Sequence, residues 1–121
     1  MENQQLGFII THAIENPDLA TLPFVLINGA LAMETTPVVI LQGEAVRIAT
    51  KGYAEQIHAE GLDPLKKLLD NVLESGVRIM VCTPCVKSRG ITEDDLLPGT
   101  FLGGAAKVIE ALLECVNVVR Y

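Results

Sequence analysis

Cys82 and Cys85 are separated by Thr83 and Pro84 and followed closely by Lys87 and Arg89. A cysteine acts as a nucleophile through its thiolate, which is favoured beside backbone N–H groups, cations or a helix start. This stretch offers all three. Val77-Arg78-Ile79-Met80-Val81 is an apolar run that predicts a strand ending at Cys82. Thr83 is a helix-capping residue type and Pro84 suits the first helical position, which puts Cys85 one step inside a helix. Both sulfurs then lie near the partial positive charge of the helix start, with Thr83, Lys87 and Arg89 as supporting, anion-stabilising neighbours. Such a pair can transfer sulfur, exchange disulfides or reduce peroxide. A single strand-end cysteine is usually just a small buried hydrophobe, but two thiols three residues apart beside cations argue for chemistry.

The remaining candidates are weaker. Cys115, expected in the last helix, reads as a packing residue. His12 follows the first strand and would serve as a proton donor to the Cys82 edge if those two strands were neighbours, whereas His58 reads as a solvated loop residue. With no second closely spaced Cys/His pair, a structural zinc site is not expected. Gly103-Gly104 lacks the glycine spacing of a phosphate-binding loop, so no nucleotide or other cofactor is expected. Glu93, Asp94 and Asp95 read as an exposed acidic run.

The elements that must position the pair follow from apolar patterning. Leu6 to Thr11 and Pro37 to Leu41 read as strands buried on both faces. Thr21 to Glu34 reads as a helix capped by Thr21, with an earlier start at Asn16-Pro17 also open. Gly43 to Gly52 fits either an extra strand or a short helical turn. Pro64 to Ser75 is amphipathic, ended by Gly76, and leads into the strand Val77 to Cys82. An irregular stretch to Gly99, a helix from Gly103 to Glu114 and a strand from Val116 to Val119 complete the chain. Alternating strands and helices predict a three-layer α/β fold, with a mostly parallel sheet and helices on both faces. No repeat or linker divides it, so residues 1–121 read as a single domain.

Composition narrows the function classes. Half of the 121 residues are apolar and the formal charge is -6, with no basic cluster longer than Lys66-Lys67. Nucleic acid is therefore not an expected partner, since phosphate contacts need concentrated positive charge. Phe24 to Met33 is too short to span a bilayer. The apolar content also predicts a subunit interface. The opening residues Met1 to Gln5 carry no basic region followed by an apolar core, so the expected location is cytoplasmic, where three cysteines are not expected to form a disulfide framework. Cys-Thr-Pro-Cys has the form of a thioredoxin motif, but only 36 residues follow Cys85, too few for the rest of that fold.

The segment Val81-Cys82-Thr83-Pro84-Cys85-Val86-Lys87-Ser88-Arg89-Gly90-Ile91 resembles the cysteine region of the DsrE/DsrF/TusD-like proteins. The order of elements, Thr100-Phe101-Leu102-Gly103-Gly104 before the last helix, and Val118-Val119-Arg120-Tyr121 are similar as well. The resemblance implies a flavodoxin-like subunit assembling into trimers or hexamers, and a role in passing sulfur between donor and acceptor proteins as a persulfide on Cys82. Cys85 departs from the sulfur carriers of that family, and members with such a pair are loosely labelled predicted peroxiredoxins. Three readings follow: sulfur relay, thiol–disulfide or peroxide chemistry by the pair, and a non-catalytic oligomeric binding subunit.

Overall fold

Apolar residues on alternate positions build a sheet with two unlike faces in the computed structural model, which describes residues 4–121. Met1, Glu2 and Asn3, part of the segment read above for an export signal, lie outside the described residues. The elements run β1 (Gln5–Ile10), α1 (Pro17–Ala32), β2 (Thr36–Leu41), 3-10 turns at Gly43–Ala49 and Ala54–Gln56, and α2 (Leu65–Glu74). They continue with β3 (Ile79–Cys82), α3 (Thr83–Ser88), a 3-10 turn at Glu93–Asp95, β4 (Thr100–Gly103), α4 (Ala105–Leu113) and β5 (Asn117–Arg120). The five strands are all parallel in the order β4-β3-β2-β1-β5, a flavodoxin-like α/β arrangement.

Phe8, Ile10, Val39, Leu41, Ile79 and Val81 point to one face, where Phe24 and Ile27 of α1, Leu65, Leu69 and Val72 of α2, and the Gly43–Ala49 turns cover them. Each fully buried large side chain there contributes about 1.5–3 kcal/mol over its exposed state. The intervening residues Ile9, Val38, Ile40, Met80 and Phe101 point to the other face and meet Val108 and Leu112 of α4. The chain steps from β1 to β4 in one direction and returns across the sheet to β5, so right-handed crossovers put α1 and α2 on one side and α4 on the other. The second face is the thinner one and leaves Ile109, Leu113, Val116 and Val118 exposed.

One expectation changes, and two open alternatives are decided. The fifth strand, β4, occupies Thr100–Gly103, read above only as an approach to the last helix. It has four residues and no long apolar run, and it is defined by its pairing with β3 rather than by local pattern. α1 begins at Pro17, with the Asn16 side chain accepting from the Leu19 N–H. Thr21 is therefore buried inside the helix rather than capping it, and its hydroxyl has no hydrogen-bond partner among the described residues. The segment after Gln42 takes the second of its two readings, short helical turns, as 3-10 turns from Gly43 to Ala49 with Ala45, Val46 and Ile48 fully buried.

Candidate functional site

β3 ends at Cys82, which is also the N-cap of α3, and Cys85 lies in the first turn of that helix. Thr83 is the first helical residue, not the cap, because Cys82 already has the extended conformation that precedes a helix, and no side chain closes a capping hydrogen bond. Both cysteines are half-buried, free and side by side. The Cys85 sulfur accepts a hydrogen bond from the Gly43 N–H at 3.3 Å. Gly43 follows β2 and has φ of 55°, a left-handed conformation costly for other residues. The amide that reaches Cys85 therefore comes from the neighbouring strand's loop.

The next residue makes a second tie. Glu44 accepts from Arg89 Nε at 2.7 Å through one carboxylate oxygen and from Arg47 Nε at 3.0 Å through the other. Arg89 also donates to the Cys85 carbonyl at 3.2 Å and to Ser88 Oγ at 3.1 Å. The hydrogen bonds from Arg89 and then Arg47 hold the Glu44 carboxyl below its ordinary range. Gly43 and Glu44 thus fasten the start of one crossover to α3, which carries the pair.

The charge environment of Cys82 differs from the sequence expectation. Burial, followed by the adjacent Cys85 thiol, pushes the Cys82 thiol above its ordinary value, and the Cys85 amide and Arg89 offset this only in part. A six-residue helix start does not outweigh the desolvation of a half-buried sulfur. Lys87 is exposed and has no ion pair among the described residues, and Arg89 is the cation that acts on Cys82.

His12 does not join the pair. β2 lies between β1 and β3, so the ends of those strands are about 10 Å apart, and the His12 ring contacts Glu15 at 2.6 Å instead. Cys115 lies just beyond α4 rather than within it, with its sulfur 3.4 Å from the Ala111 carbonyl. No three metal-ligating side chains converge among the described residues. A groove of about 770 Å³ runs between α1 and α2 past Asn28, Lys67 and Asn71. It is an open trough bordered by paired charges and is separate from the thiols. Gly43, Glu44 and Arg47 belong to the site but were missed in the sequence. The available signal is a glycine two residues beyond the end of β2, at the same sheet edge as the end of β3.

The DsrE/DsrF-like family model matches residues 4–121. The chain belongs to the DsrE/DsrF-like family. A family relative from Methanocaldococcus jannaschii, the uncharacterized protein MJ0760, is 29% identical over 108 residues, covering 89% of this chain and 39% of that protein. A second from the same organism, MJ0989, is 40% identical over 55 residues, covering 46% of this chain and 48% of that protein. The chain thus spans less than half the length of these two curated relatives. Among solved structures, the ychN protein from E. coli superposes with a TM-score of 0.83 at 19% identity, covering 98% of this chain and 99% of that one. MTH1491 from Methanobacterium thermoautotrophicum, a protein of unknown function, gives 0.72 at 16% identity, covering 98% and 100%. At these identities the two structures establish the shared DsrE-like fold.

Proposed function

We propose that this DsrE/DsrF-like chain is a sulfur-relay subunit in which Cys82 accepts sulfane sulfur from a donor protein and hands it to an acceptor. The observation that carries this reading is the half-buried Cys82 sulfur at the end of β3, within reach of the Cys85 amide and the Arg89 charge. The family is associated with sulfur relay, and by its resemblance to the family's cysteine region the Cys82 segment makes Cys82 the carrier in this reading. In the transfer step, the Cys82 thiolate attacks the outer sulfur of a donor persulfide R–S–SH, giving Cys82–S–SH and R–S⁻. No net oxidation occurs. Burial keeps the resting thiol protonated and slow toward stray electrophiles, while the nearby N–H and guanidinium groups favour the anion once a donor is seated.

Assembly and location belong to the same proposal. Leu22, Val25 and Leu26 are exposed on α1 and Met33 at its C-cap, as are Ile109, Leu113, Val116 and Val118 at the thinner face. Packing between copies in a trimer or hexamer would cover this surface. No helix among the described residues is long and apolar enough to cross a membrane. We place the protein in the cytoplasm, where reduced thiols persist.

The test is mass analysis of the folded protein after exposure to a small persulfide donor, with peptide mapping. Addition of one sulfur atom at Cys82 is expected at early times, and a Cys82 left unmodified throughout would overturn the reading. Thiol–disulfide exchange by the same pair is the second reading, favoured by two free sulfurs lying side by side. It predicts a Cys82–Cys85 disulfide across redox buffers without any sulfur loading.

A further inference from the structure

The sulfur that the proposed relay would load onto Cys82 has a second thiol immediately beside it. Cys85 stands three residues on, in the first turn of α3, and interacts directly with the Cys82 side chain. Cys82 is the N-cap of this helix and Cys85 its third residue, so the two side chains lie on the same side of the first turn. The Gly43 N–H donates to the Cys85 sulfur at 3.3 Å. That hydrogen bond holds the Cys85 sulfur in place at the head of α3. The Arg89 guanidinium, held by Glu44, binds the Cys85 carbonyl and fixes the turn that presents the sulfur. The charged groups facing this pair are Arg89 on α3 and Glu44 and Arg47 on the segment after β2.

From this arrangement we infer that Cys85 limits the lifetime of the Cys82 persulfide by discharging its outer sulfur as sulfide. The inference rests on the sulfur-carrier reading and specifies what becomes of the cargo when no acceptor takes it. The Cys85 thiolate attacks the inner sulfur, Cys82 Sγ, forming the Cys82–Cys85 bond and breaking the bond to the outer sulfur, which leaves as HS⁻. The two cysteine sulfurs are oxidised to a disulfide, and the sulfane sulfur takes the electron pair and is reduced to sulfide. The proton of the persulfide stays on the departing sulfide. A dithiol reductant then reopens the disulfide, so each round consumes one dithiol. A relay built this way delivers sulfane sulfur to an acceptor only if hand-over outpaces the neighbouring thiol, and otherwise releases sulfide.

The experiment loads the full chain with glutathione persulfide, removes small molecules by rapid desalting, and follows two quantities over time. These are free sulfide, and the protein-bound sulfur and disulfide seen by mass after alkylation. Wild-type protein is expected to release one sulfide per loaded chain and to end as the Cys82–Cys85 disulfide. Cys85→Ser is expected to hold its added sulfur at least about tenfold longer, because the internal nucleophile is gone. Cys85→Ala, with its fold checked by circular dichroism, guards against a defect specific to serine and is expected to behave the same way. Equal lifetimes in wild type and both variants would overturn the inference while leaving the carrier reading intact. Failure of every form, wild type included, to gain sulfur or form the disulfide would remove both.

Discussion

Cys85 and Cys115 are both half-buried thiols lying against a glycine, yet the two glycines do different things. Gly43 gives Cys85 an amide proton from a left-handed turn. Gly7 gives Cys115 only room, since a Cβ there would come within 3.3 Å of the Cys115 sulfur and of the Leu112 and Val118 side chains. Cys115 in turn faces the Ala111 carbonyl, an acceptor that favours the neutral thiol, and burial and then Glu114 push it above its ordinary value. Half-burial alone therefore says little about reactivity. What distinguishes the two places is whether the neighbours supply donors or acceptors, and cations or anions.

The largest test of this contrast is all-or-none. In oxidising buffers, wild type and Cys115→Ser should form the same intramolecular disulfide, seen by peptide mapping, and Cys82→Ser should form none. A crosslink that uses Cys115 would break the comparison. Next come the glycines. Gly43→Ala should cost about 1–2 kcal/mol, the penalty of a left-handed L-residue, read from denaturant midpoints, and should slow alkylation of Cys85. Gly7→Ala should cost about 1 kcal/mol or more through overpacking while leaving Cys85 alkylation unchanged.

Smaller effects probe charge. Glu44→Gln keeps an acceptor for Arg89 but removes the negative charge, so Arg89 and Arg47 act uncompensated. Alkylation of Cys82 at neutral pH should rise roughly two- to fivefold, with its pH midpoint moving down from a wild-type position above that of an ordinary thiol. The sign for stability is opposite at the two groups. The lowered Glu44 value means its contribution is present above the usual carboxylate range and is lost as pH falls through that lowered value. The raised Cys82 value means its share is full below the unfolded thiol's value and erodes as pH rises through the folded one. The smallest effect is screening: added salt should slow Cys82 modification by weakening Arg89 and speed Cys115 modification by weakening Glu114, each by less than about twofold.

The parts of the molecule visible in the sequence are those set by local pattern. β1, β2 and α2 follow from buried runs and an amphipathic face, and the Cys82–Cys85 junction is legible because strand, proline and thiols are contiguous. β4 was missed because four residues acquire their identity only by lying against β3. The start of α1 stays open in the sequence because both Asn16 and Thr21 are capping residue types, and tertiary burial decides for Asn16. The donors and tethers at the pair come from Gly43 and Glu44, more than 40 residues earlier in the chain. No spacing rule reaches across that distance without the strand order. His12 shows the same limit in reverse, since its assignment depended on β1 and β3 being adjacent, and β2 separates them.

The seam between the turn after β2 and the head of α3 also has a temporal meaning. Until those two pieces dock, an unfinished or partly opened chain carries a pair of ordinary thiols without a directed amide or an anchored guanidinium. The pair thus gains its directed amide and anchored guanidinium only once both segments are in place.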